Sequence, residues 1–351
     1  MEKQKENKER EVLPDIIRGF AIILVVLGHC IQEGSGNLYK EQQLYFGDEV
    51  YQFIYSFHMP LFMMISGYLA WGSLNRANGK RGLLKKRVSS LLVPIFMWTA
   101  IDYIRILIIN TLKGQAQPEA LIFVYFYNAL NNMWFLWAVF WCFFIVYVMY
   151  YYFKDSVIIY VLIFGAMFFL PDGLGLGAYK YMLPYYLIAF YGHKHIENKD
   201  IKSIKIFYVM AMGVIFIVAV SFFNEESFIY LTGYKLIGKN TLKQLYIDIY
   251  RFLVGLIGSC FWILIWKKVY ELRKNKLIDG ILKMLKSLGR ESMGIYILSG
   301  YIIIFVLQKV IVVSGQSYIL NFFETIVIVV VSYGLTIFLK KVPLLSKLVG
   351  K

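Results

Sequence analysis

Apolar stretches of close to twenty residues follow one another along most of the 351-residue chain, with short polar segments rich in Lys and Arg between them. A helix needs about 20 mainly apolar residues to cross a bilayer. That length picks out ten segments: 13–33, 53–72, 88–110, 133–153, 156–171, 181–193, 204–223, 245–267, 291–313 and 321–340. The pattern predicts an all-α fold, a polytopic integral membrane helical bundle of about ten transmembrane helices with both termini on one side. Segments 156–171 and 181–193 are short, and PDGLGLGAYKYMLP between them reads either as a surface turn or as a break in one longer helical path. Residues 1–12 read as a tail and 13–345 as one transmembrane domain, with 268–290 as a basic loop. No internal repeat with matching breaks is visible, which counts against a transporter built from two related halves.

Charge gives the bundle a direction. Of the 37 Lys and Arg residues, 27 fall on one side of the ten-span threading, six on the other (Lys40, Lys113, Lys180, Lys235, Lys239, Lys243) and four within spans (Arg18, Arg105, Arg251, Lys309). The positive-inside rule makes the rich side cytoplasmic, so both termini are expected to be cytoplasmic, with the protein in the bacterial cytoplasmic membrane. The N-terminal MEKQKENKEREVLPD has no small-residue cleavage signature and is expected to stay as a cytoplasmic tail. Composition agrees: 59% of residues are hydrophobic, 17% are charged and the mean hydropathy is +0.60. The net charge of +15 comes with no recognition motif, so nucleic acid is not an expected partner. Cys30, Cys142 and Cys260 sit in separate apolar segments and read as buried small hydrophobes.

Ionisable residues inside apolar segments are the informative ones, because a charge in a membrane usually marks a pathway or a site. In RGFAIILVVLGHC, Arg18 and His29 are eleven residues apart, about three helical turns, which puts both on one face roughly 16 Å apart along the axis. Asp15, one turn before, can pair with Arg18. The bland alternative is an Arg18 that snorkels to the interface and a His29 satisfied at the other interface. His58, in FIYSFHMPLFMMISGYL, lies at a depth similar to His29 and can meet it in one cavity. Pro60 frees backbone groups near by, and Ser66 and Gly67 permit close helix contact. The entry KKRVSSLLVPIFMW places Lys85, Lys86 and Arg87 on a first helical turn, where free N–H groups also suit phosphate. A positive-inside flank explains this run equally well; the functional reading has Arg18 and Arg87, with Lys86, gripping a phosphorylated ligand through their donors.

The remaining polar positions are weaker. Asp102 with Arg105 reads as a structural (i, i+3) pair, and Asp248 with Arg251 stays open. His193 and His195 flank Lys194 in an expected inner loop with no carboxylate at ligand spacing, so no metal site is expected. Trp134 and Trp137 read as interfacial belt and core. A cationic site at one end and a histidine at the other suit a long donor such as an acyl-coenzyme A lying through the bundle. His29 would act as general base on an attacking hydroxyl, and His58 would assist by bonding the base, the acceptor or the developing oxyanion.

At these residues the chain resembles the membrane acyltransferase-3 family. DIIRGFAIILVVLGH resembles its first-span signature and SFHMPLFMMISGYL its second-span pattern. KKRVSSLLVPIFMW, WFL at 134–136, YRFLVGLIGS and ESMGIYILSG are similar to its later segments, so the resemblance runs through nearly the whole chain. It implies transfer of an acyl group, most often acetyl from acetyl-CoA, onto sugar hydroxyls of envelope polysaccharides or their lipid-linked precursors. It puts Arg18 and His29 at the motif positions and Arg87 at the basic position that helps hold coenzyme A. Polysaccharide export or assembly proteins are the implied partners, beside the lipid bilayer. Ser299 stands where many relatives have histidine, which bears on the acceptor subgroup. No outer hydrolase-like domain is expected, so acceptor handling falls to the spans and loops. The competing function is a transporter or flippase of a lipid-linked or exported glycan.

Overall fold

A chain without water around it must satisfy its backbone N–H and C=O groups internally, and a helix does so within one segment. The computed structural model describes residues 11–76, 80–116, 121–196, 205–234, 241–307 and 315–351, and among them every regular element is helical. The tail residues 1–10, and Lys199, Lys202, Lys235, Lys239 and Lys309, lie outside the described residues. In chain order the helices are α1 (Val12–Gly34), α2 (Asn37–Glu41), α3 (Glu49–Asn75), α4 (Lys80–Leu112), α5 (Leu121–Asn131), α6 (Trp134–Tyr152) and α7 (Val157–Met167). They continue with α8 (Leu176–Ile196), α9 (Ile206–Val220), α10 (Ile229–Thr232), α11 (Thr241–Glu271), α12 (Lys276–Arg290), α13 (Ser292–Ile302), a π-helical turn (Ile303–Leu307) and α14 (Tyr318–Lys341).

Ten segments were expected to span. Six described helices, α1, α3, α4, α6, α11 and α14, are each long and apolar enough to do so, and a seventh is added if α12 and α13 with its π turn, bent by 76°, count as one. Helices α7 and α9 are apolar but have only 11 and 15 residues. At 1.5 Å per residue they reach roughly 16 and 22 Å, short of a hydrocarbon core of about 30 Å. The segment after α7 is a turn with a short 3₁₀ piece at Gly173–Gly175, which favours the surface-turn reading over a broken helix.

Helix α3 is the most enclosed of the six and packs against α1, α8 and α11. The backbones of α3 and α8 meet at Gly67, where an added Cβ would lie 2.1 Å from the Tyr186 carbonyl oxygen. At the far end, Asp48 ties three segments together. Its carboxylate accepts from the Tyr51 amide (2.8 Å), the Tyr318 hydroxyl (2.8 Å) and the Tyr39 hydroxyl (3.1 Å).

Two loop expectations are corrected. The 268–290 segment carries helix α12, capped by Asn275, whose side chain accepts from the Leu277 amide at 2.9 Å. Its charges mask a helical period: Leu282, Leu285 and Leu288 are buried, the first two with Ile16 of α1. The contact with α1 is backbone to backbone. A Cβ on Gly289 would sit 1.7 Å from the Asp15 carbonyl oxygen, and one on Gly19 would sit 1.9 Å from the Leu285 carbonyl oxygen. Gly289→Ala should therefore push the two helices apart and cost about 1–3 kcal/mol, as overpacking does; a lowered Tm of the detergent-solubilised protein checks it. The second correction concerns His193 and His195, which stand on the last turn of α8 rather than in a loop. The His193 ring stacks on Tyr68 at 3.8 Å.

Lys180 is also not an outer-loop cation. It is buried, with Nζ 2.6 Å from Asp172 Oδ1 and donating to the Leu170 carbonyl at 2.9 Å. Asp172 in turn accepts from the Tyr234 amide at 2.7 Å. Beside it, Arg251 pairs with Asp248 and donates to Thr232 Oγ1 at 2.9 Å and to the Gly233 carbonyl. Buried charges are tolerated when paired and hydrogen-bonded, and this pair of ion pairs pins residues 232–234 to α8 and α11. The cysteines behave as expected: all three are free, Cys30 and Cys142 are buried and Cys260 is half-buried.

Candidate functional site

Two cavities lie one after the other along the inner face of α1. The first, about 260 Å³, is lined by Arg18 of α1, Ser66 of α3, Arg87 and Ser90 of α4, Phe143 of α6, Tyr186 of α8, Arg290 and Glu291 at the α12–α13 bend, and Lys340 of α14. The second, about 470 Å³, is lined by His29 of α1, Tyr55 and His58 of α3, Asp102 and Arg105 of α4, Trp134 of α6, and Tyr230, Tyr296 and Tyr301. Val25, Met59 and Tyr296 belong to the walls of both. The eleven-residue spacing thus puts Arg18 and His29 on one column of interior space, in adjacent chambers.

The first chamber is cationic. Arg18, Arg87, Arg290 and Lys340 face one carboxylate on its wall, Glu291, which pairs with Lys340. Arg87 is positioned by two neighbours: it donates to Ser73 Oγ at 3.2 Å, and its guanidinium lies over the Phe143 ring, 5.0 Å from the centroid. Cation–π contact and a hydrogen bond together fix a side chain that would otherwise be mobile. Asp15, the expected partner of Arg18, accepts from Arg290 Nε at 3.3 Å. Because Gly19 and Gly289 let α12 approach so closely, Arg290 reaches the chamber from an adjacent helix. Lys86 lines neither cavity and is exposed. One residue is 100° of helix rotation, enough to turn Lys86 away from the wall that Arg87 joins.

The second chamber holds both imidazoles. His58 is buried, and its Nδ1 lies 2.7 Å from the Ile54 carbonyl oxygen. A carbonyl oxygen only accepts, so Nδ1 carries the proton and Nε2 of the neutral ring carries the lone pair. The ring meets Tyr55 edge-on at 4.6 Å. Tyr55 fits there because Gly28 has no side chain: a Cβ at that position would lie 2.8 Å from the Tyr55 ring. His29 is half-buried, with Glu33 one turn on; the Glu33 carboxylate pairs with Lys40 at 2.6 Å.

Arg290, Lys340, Asp102 and Arg105 line these chambers without having been site candidates in the sequence. Arg290 and Lys340 look like flanking charge, and only the fold brings them to Arg18. Asp102 and Arg105 were expected to be a structural pair, and they do pair, at 3.5 Å from Nε to Oδ1. They also line the histidine chamber, with Tyr301 donating to Asp102 Oδ2 at 2.8 Å and Arg105 lying 4.4 Å over the Phe305 ring. The signal available in sequence was two charges in an apolar run, the same kind that marked Arg18. Trp137 is core, donating to the Ala129 carbonyl at 2.9 Å, whereas Trp134 faces the chamber. Among the described residues no three His, Cys, Asp or Glu side chains gather as a metal-ligand set.

Comparison with known proteins adds an independent line. The family model described as "Acyltransferase domain" matches residues 13–341. The chain is 24% identical over 299 residues to a protein named nodulation protein NolL from Mesorhizobium japonicum, covering 84% of this chain and 77% of that protein. It is 36% identical over 135 residues to a nodulation protein NolL from Sinorhizobium fredii, covering 37% of this chain and 34% of that protein. No solved structure matches significantly.

Proposed function

Since this chain belongs to the acyltransferase family and is a membrane-spanning acyltransferase, we propose that it moves acetyl from acetyl-CoA onto a sugar hydroxyl of a cell-envelope polysaccharide or its lipid-linked precursor. The observation that carries the reading is the sharing of Val25, Met59 and Tyr296 by a cationic chamber and a histidine chamber on one face of α1. A donor with phosphates at one end and a thioester at the other fits that arrangement. Arg18, Arg87 and Arg290 take the phosphates through charge-assisted bonds, and the acyl end passes Tyr296 to reach the imidazoles.

His29 then accepts the proton of the acceptor hydroxyl as its oxygen attacks the thioester carbonyl carbon. A C–O bond forms, the tetrahedral intermediate expels the coenzyme A thiolate as the C–S bond breaks, and the imidazolium returns its proton to that sulfur. His58 has a narrower role than its position alone suggests. With Nδ1–H held by Ile54, the neutral ring has no proton for an oxyanion and serves as an acceptor that orients the incoming hydroxyl or the His29 N–H. His58→Ala should lower kcat about tenfold, the worth of one hydrogen bond near 1–1.5 kcal/mol, with KM for acetyl-CoA unchanged. Comparing O-acyl groups on each envelope polymer by NMR, with and without the gene, tests the function: unchanged O-acylation of all of them overturns it.

A further inference from the structure

The histidine chamber has a side wall made of two elements that also face outward. Ile304 and Phe305 of the π turn and Asp102 and Arg105 of α4 line the chamber. Ile101, Ile104 and Ile108 of α4 and Val306 of the turn are all exposed, as is Ile304 at 50%. On a helix, positions 101, 104, 105 and 108 form one stripe. Arg105, with 42% of its side chain exposed, therefore sits in the middle of a row of isoleucines that lipid must cover, while also bordering an interior cavity. It lies seven residues before the end of α4, about 10 Å along the axis. The backbone across the seam is π-helical, a form that appears mostly as single turns and often at functional sites.

We infer that the seam between α4 and the π turn is a lateral port. Through it an acceptor anchored in the outer leaflet presents its sugar to His29, while Arg105 takes the phosphate joining sugar to lipid. The inference rests on the acyl-transfer reading and names its acceptor class as a polyprenyl-phosphate-linked sugar. Arg105 suits this because it is already held in place, over Phe305 and beside Asp102, and an incoming phosphate exchanges one anionic partner for a stronger one. Trp134 and Tyr230, in edge-on contact at 6.0 Å, supply aromatic surface for the apolar face of a sugar ring.

The test reads binding rather than turnover. The full chain with Ile304 replaced by p-benzoylphenylalanine is reconstituted in phosphatidylcholine vesicles containing a few per cent of either a polyprenyl phosphate or phosphatidylglycerol, and irradiated. Mass spectrometry should find the polyprenyl phosphate cross-linked at least fivefold above its share of the lipid, with phosphatidylglycerol near its share. The same photoprobe replacing Ile215 of α9, which is also exposed, should show no enrichment. Arg105→Gln should abolish the enrichment and Arg105→Lys should retain part of it. Adducts in proportion to bulk lipid, equal capture of phosphatidylglycerol, or enrichment indifferent to Arg105→Gln would overturn the port. His29→Ala in the same background should leave capture intact, so failure of the base assignment and failure of the port are separately visible.

Discussion

His29→Ala is expected to lower acyl transfer about 10²- to 10⁴-fold, the usual range for removing a general base, with KM for acetyl-CoA changed little. In the proposed mechanism the base acts on the acceptor hydroxyl in the transition state, whereas the donor's phosphates are held by the guanidiniums of the neighbouring chamber. Loss confined to kcat is the signature of an interaction made only in the transition state. The measurement is label transfer from acetyl-CoA by the purified variant in nanodiscs, beside a Tm showing that it is folded. A His29→Ala protein with full activity would remove His29 from the mechanism and leave His58, whose Nε2 is already the free acceptor, as the histidine to test next.

Arg18→Gln should give the opposite split. A hydrogen bond to a charged group contributes about 1.5–3 kcal/mol, so KM for acetyl-CoA should rise about 10- to 100-fold while kcat falls by less. Arg87→Gln should act in the same direction. The double variant should fall short of the product of the two, because side chains lining one small cavity share a ligand and their effects do not add. Lys86→Gln is the internal control. It is exposed and lines neither chamber, so its KM should stay within about twofold, the scale of a surface charge. Isothermal titration with coenzyme A reads the same ranking without needing an acceptor.

The long helices and several of the residues lining the two chambers are legible in the sequence. Apolar length alone predicts the long helices, since a bilayer leaves an unpaired backbone no alternative. Arg18, His29, His58 and Arg87 stood out because each is costly in its context, and the eleven-residue spacing placed two of them on one face. What stayed hidden was hidden for physical reasons. Helix α12 is basic enough to look like a loop, and its buried Leu282 and Leu285 become meaningful only against Ile16. Arg290 and Lys340 sit where positive-inside flanks belong, so their convergence on Arg18 depends on tertiary contacts distant in sequence. Arg105 and Asp102 were legible as a pair but not as a wall, because a pair satisfied within one helix carries no sign of what stands opposite. Lys180 reads as an outer-loop cation for the converse reason: its neutralising partner, Asp172, is eight residues away across a turn.

The shared layer of Val25, Met59 and Tyr296 has a bioenergetic consequence. In the proposed arrangement the two hollows open to opposite faces of an energised membrane, and with one tier of side chains between them they are close to a conduit for protons. The tier must therefore act as a seal whenever no donor threads it, and thinning it should discharge the ion gradient that the cell maintains. Val25→Ala combined with Met59→Ala should then make proteoliposomes leak protons, seen as faster decay of an imposed pH difference, and coenzyme A should slow that leak by plugging the gap.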